Sequence, residues 1–63
     1  GISIGPRHIL LSSWFSNTVE KVDRKTNKLV ATLGDFTGPV DALEGNDGTL
    51  YVVTDDGRLT ALR

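Results

Sequence analysis

The sequence predicts an all-β fold built from antiparallel meanders. Three observations carry that expectation. Val, Ile, Leu and Thr fall in runs of four to seven residues bounded by Gly, Asn, Asp and Pro. Two of the turns contain Asp-Gly, at Asp47-Gly48 and Asp56-Gly57, the pair that supplies the positive φ of a tight hairpin. Every connection between runs is six residues or shorter, so strands that follow one another should pair antiparallel.

Seven strands are expected in order. Gly1 to Ile4 is the first, ended by Gly5-Pro6. Ile9 to Ser13 is the second. Thr18 to Asp23 is the third, opened by Asn17. Lys25-Thr26-Asn27 turns the chain into the fourth, Lys28 to Leu33. A six-residue connection from Gly34 to Pro39 leads to the fifth, Val40 to Glu44. Gly45 to Gly48 turns it into the sixth, Leu50 to Thr54. Asp56-Gly57 leads to the last, Arg58 to Leu62. The charged stretch Glu20 to Lys25 could be written as a helix turn. Thr18, Val19 and Val22 oppose that, and so short a helix does not hold unaided.

Composition narrows the function classes. The chain has 63 residues, no Cys, no Met and a net charge of −1. One small domain at most fits that length. Without Cys there is no disulfide framework and no Cys-based metal site. Scattered basic residues at near-neutral charge argue against nucleic-acid binding, which needs a basic face. Tyr aside, no apolar run exceeds three residues, as at Ile9-Leu10-Leu11, so no helical membrane span is expected. The proportion of apolar residues is that of a folded chain. A core this small barely offsets the entropy of ordering the backbone. Domains of this size usually carry disulfides, a metal or a partner chain. A partner is therefore expected. The start at Gly1-Ile2-Ser3-Ile4, without Met, favours a piece of a longer chain.

Self-comparison shows a repeat of about 40 residues. Gly5 falls near Gly45, Ile9-Leu10-Leu11 on Leu50-Tyr51-Val52, Val19 on Leu59 and Val22 on Leu62. Both copies of the third strand break strict alternation at the same place. A period near 40 with four strands per unit is the pattern of a β-propeller blade. The expected architecture is therefore one full blade, residues 1–37, and three strands of a second, residues 38–63. A propeller needs about four to eight blades. The remaining blades would come from other chains or from further sequence, as a homo-oligomer if the chain is complete.

The second unit, Gly38-Pro39-Val40-Asp41-Ala42-Leu43-Glu44-Gly45-Asn46-Asp47-Gly48-Thr49-Leu50-Tyr51-Val52-Val53-Thr54-Asp55, resembles a blade of the NHL-repeat and gluconolactonase-like propeller superfamily. There a Gly-Pro precedes the inner strand, and an Asp-Gly turn leads to an apolar strand ending in Asp. The first unit, Ser16-Asn17-Thr18-Val19-Glu20-Lys21-Val22-Asp23 with Lys25-Thr26-Asn27-Lys28-Leu29-Val30-Ala31-Thr32-Leu33, is similar to blades of YVTN-type propellers. Its first turn, Gly5-Pro6-Arg7-His8, departs from the pattern by lacking Asp-Gly. The resemblance implies ligand sites at the end carrying the second-to-third and fourth-to-fifth strand connections. It also implies, in the gluconolactonase-like class, a divalent metal such as calcium held by Asp, Asn and Glu. Blades host unrelated functions, so fold alone names none.

Meander geometry sorts the loops onto two ends. Trp14, Phe15, Asn17, Asp35, Phe36, Asp55 and Asp56 should share one. Arg7, His8, Lys25 and Asp47 should share the other. Trp14, Phe15 and Phe36, with Asn17, read either as a platform for a ligand or partner or as packing between adjacent blades. Asp35 and Asp55 are the candidate metal ligands, since hard cations want several oxygens. Asp56, before Gly57, reads more simply as a turn residue. No catalytic group is assigned. His8 shows no partner on its side and reads as a solvated turn residue. Ser12 and Ser13 lack a nucleophile elbow. Three functions remain open: a ligand- or protein-binding scaffold, part of a metal-dependent lactonase or related hydrolase, and a purely structural self-assembling module.

Overall fold

The computed structural model describes residues 1–34 and 36–63. Among them there is no helix, and therefore none long and apolar enough to cross a membrane. The chain is all-β. Strands β1 (Ile2–Ile4), β2 (His8–Ser13), β3 (Thr18–Asp23) and β4 (Leu29–Leu33) form a four-stranded sheet in sequence order. Strands β5 (Pro39–Glu44), β6 (Leu50–Thr54) and β7 (Leu59–Leu62) form a three-stranded sheet, also in order. Every pairing is antiparallel. This matches one four-stranded blade and three strands of another. The expected strand limits are met to within one residue at every end.

The turns explain that agreement. Gly48 and Gly57, after their Asp partners, take φ of +89° and +86°. Asn27 closes the β3–β4 turn at φ +59°, in the left-handed region that Asn tolerates better than most residues. The Asp23 side chain accepts the Lys25 and Thr26 amides at 2.7 and 3.0 Å, which winds the same turn.

Each sheet is pleated, so alternate residues share a face. In the first sheet the register sets Leu10 beside Lys21, and Ser12 beside Val19, which lies opposite Leu33. In the second it sets Ala42 opposite Val52 and Glu44 opposite Leu50. The two sheets pack these faces together, β5 lying across β2 and β1. The core is Leu10, Val19, Ala42, Leu50 and Val52, with Leu33, Phe36 and Leu62 partly buried against it.

Strand β5 departs from simple alternation. The register slips between Pro39 and Asp41, leaving Val40 as an extra residue. Pro39 opens the strand and is buried, Val40 and Asp41 are both exposed, and Ala42 and Glu44 turn inward. The bulge lets Pro39 and Ala42, three residues apart, both face inward, and regular alternation beyond it buries Glu44 and exposes Leu43. A similar slip between Lys21 and Val22 leaves Val30 as the extra residue of β4.

The outer faces also carry apolar pairs. On the first sheet, Ile2 lies opposite Leu11, Ile4 opposite Ile9, and Val22 between Ile9 and Leu29. On the second, Leu43 lies opposite Tyr51 and Val53 opposite Leu59. Ile2, Ile4 and Leu59 are about two-thirds exposed, at 68%, 67% and 66%. An antiparallel sheet facing water normally alternates apolar-in with polar-out.

Candidate functional site

At one end of the sheet pair the β2–β3 loop meets the connection into β5 and the β6–β7 turn. Asn17, at φ +58°, turns the chain from the loop into β3. Its Oδ1 accepts the Gly38 amide at 2.9 Å, which ties the two sheets together. Gly38 is at φ +62°, and a Cβ there would come within 2.6 Å of the Asp55 carboxyl carbon. Only glycine fits that close approach in that conformation. The Asp55 amide donates to the Gly38 carbonyl at 2.8 Å. The Trp14 indole Nε1–H donates to Asp55 Oδ2 at 2.8 Å.

Trp14, Phe15, Asn17, Thr37, Gly38 and Asp55 line an open cleft of about 330 Å³. Trp14 is 57% exposed and Phe15 92% exposed. The structure therefore brings Trp14, Phe15, Asn17 and Asp55 together, as the meander geometry requires. Phe36 is not among them. It is partly buried against the core and lies beside Leu33, Gly34, Thr60 and Leu62. Asp35 lies outside the described residues. Among the described residues no group of three or more His, Cys, Asp or Glu could hold a metal ion.

Asp56 is a turn residue. Its Oδ1 accepts from the Thr54 hydroxyl and, at 3.3 Å, from the Arg58 amide. The Thr54 hydroxyl bond holds the Asp56 carboxyl below its ordinary pKa. At the opposite end Asp47 does the same in the β5–β6 turn, where the Thr49 amide at 3.0 Å lowers its pKa. Asp23 is lowered by the Thr26 and Lys25 amides.

That opposite end corrects the reading of His8. It is neither solvated nor partnerless. It opens β2 and is half-buried, and its Nδ1 lies 2.6 Å from Glu44 Oε2. Glu44 Oε1 accepts the Arg7 and His8 amides at 2.9 and 3.0 Å. The Glu44 side chain is only 2% exposed. Burial pushes its pKa up, but the His8 ring and the two amides outweigh this and hold it below the ordinary glutamate value. Gly5 is buried beneath it, and a Cβ there would lie 2.6 Å from Glu44 Cβ. Sequence reasoning missed this pair because Glu44 is 36 residues from His8. The available signal was an acidic residue closing an apolar strand.

Comparisons with family models, with curated proteins and with solved structures find no match to this chain.

Proposed function

We propose that the chain supplies successive blades of a β-propeller that acts as a ligand- or protein-binding scaffold. One observation carries this reading: the exposed outer faces are the repeat equivalents of the buried ones. Ile9, Leu11 and Val22, on the outer face of the first sheet, correspond to Leu50, Val52 and Leu62, which face the core from the second. Leu10 and Val19, buried in the core, correspond to Tyr51 and Leu59 on the outer face of the second sheet. Each sheet thus offers the same two kinds of surface in the same order. Neighbours placed on either side by the same step that relates the two sheets would each bury one outer face. Such head-to-tail contacts close into a ring when the rotation closes. The blade-like NHL and YVTN motifs support the same reading.

In that arrangement the Trp14–Asp55 end presents the binding surface. Trp14 and Phe15 offer amphipathic and apolar contact area held on a rigid sheet pair. A binding role is favoured over metal-dependent hydrolysis because the described side chains Asn17 and Asp55 there already accept hydrogen bonds from the protein. Asn17 Oδ1 accepts from Gly38 and Asp55 Oδ2 accepts from Trp14.

Light scattering on Ile4→Lys and Leu59→Lys tests the stacking. Both positions are exposed in the single chain, so each variant should keep its β circular dichroism. Each should lose the association of the parent chain. Association unchanged in both variants would overturn the reading.

A further inference from the structure

The end opposite Trp14 carries a second feature that the scaffold reading does not use. Pro6, Arg7, His8, Asp23, Arg24 and Lys25 line an open cleft of about 500 Å³. That volume lies within the range of small-ligand sites. The β1–β2 and β3–β4 turns are joined there, since the Arg24 amide donates to the Arg7 carbonyl at 3.0 Å. One Arg24 nitrogen, Nη1, donates to the Gly5 carbonyl at 2.8 Å, which anchors the guanidinium beside the cleft.

The charges at this cleft are unbalanced. Among the described residues the ion pairs within 4.0 Å are His8–Glu44 and Arg58–Asp56. Arg7, Arg24 and Lys25 are in neither. The one carboxylate lining the cleft, Asp23, is bonded to the Lys25 and Thr26 amides. The cleft lining thus carries three cations against one carboxylate, with Glu44 and Asp47 also at this end of the sheets. Glu44 holds the His8 ring through Nδ1, and among the described residues Nε2 has no hydrogen-bond partner.

We propose that this cleft binds the phosphate group of a small phosphorylated ligand. A phosphate monoester offers several acceptor oxygens and close to two negative charges. Two guanidinium forks and an ammonium match that demand better than they match a single carboxylate. The His8 ring, held by a buried carboxylate, adds a directed contact at the wall. The site is independent of the Trp14 platform and lies at the other end of the sheets.

Titration of the ¹⁵N-labelled chain with inorganic phosphate, at constant ionic strength and followed by NMR, tests the assignment. Saturable shifts should centre on the amides of Arg7, His8, Arg24 and Lys25 and leave Trp14 to Asn17 unmoved. Acetate at the same concentrations should give no saturable shift. The double variant Arg7→Ala, Lys25→Ala, at two exposed turn positions, should raise the dissociation constant at least tenfold with the spectrum otherwise retained. Equal response to acetate, non-saturating shifts, or undiminished binding in the double variant would overturn the proposal.

Discussion

Each end of the sheet pair has a side-chain bond crossing from one sheet to the other, and the two bonds differ in burial. Glu44 meets His8 across 36 residues of sequence, and Trp14 meets Asp55 across 41. Both join a carboxylate to a ring N–H. The Glu44 side chain is 2% exposed, and it satisfies two backbone amides as well as the His8 ring. Trp14 is 57% exposed, and water competes for both partners. Sequence separation does not rank these contacts. The number of buried donors left unpaired on removal does.

The largest effect therefore belongs to Glu44→Ala. It strips the Arg7 and His8 amides and the His8 ring of their acceptor inside a closed contact. Loss of a buried partner of this kind costs about 3 kcal/mol. That is a large part of the stability of a chain this size. Urea denaturation should show the loss, and Glu44→Gln, which can still accept from the amides, should recover part of it. A change within error for Glu44→Ala would break the comparison.

Acid should act in the same direction. Glu44, Asp23, Asp47 and Asp56 all titrate lower in the fold than their ordinary values. Their contribution is complete above the unfolded values and is lost as pH falls through the lowered folded ones. Melting temperature should thus be flat above the ordinary carboxylate range and fall below it. In Glu44→Gln the fall should be shallower, because the most buried of the four groups no longer titrates. A melting temperature that rises on acidification would contradict this.

The smallest effect belongs to the exposed end. Trp14→Ala removes one water-competed bond and should cost about 1 kcal/mol or less. Phe15→Ala, at 92% exposure, should leave thermal stability unchanged. A large loss for Phe15→Ala would mark it as packing and remove the platform.

Much of the architecture was legible from residue type. Asp47-Gly48, Asp56-Gly57 and Lys25-Thr26-Asn27 announce their turns because few other residues tolerate those backbone angles. Once the turns are placed, a meander assigns loops to ends, which is why Trp14, Asn17 and Asp55 were expected together. The β5 facing was not legible. Local hydrophobicity would bury Val40 and Leu43 and expose Glu44. Alternation after the bulge puts Glu44 on the side of Ala42 and Leu43 on the other, and packing on β2 decides which side is inner. Phe36 was equally ambiguous, since a loop aromatic beside an open gap can turn either way until the facing sheet is known. His8 lacked a visible partner because Glu44 reaches it only through sheet-on-sheet packing.

In the proposed propeller, the outer faces carrying Ile4 and Leu59 are covered by another sheet of the same kind. Sedimentation equilibrium of the unmodified chain across a wide concentration range tests it most directly. The account predicts a discrete assembly at a multiple of the single-chain mass. A cooperatively folded species that stays at the single-chain mass at every concentration would contradict it.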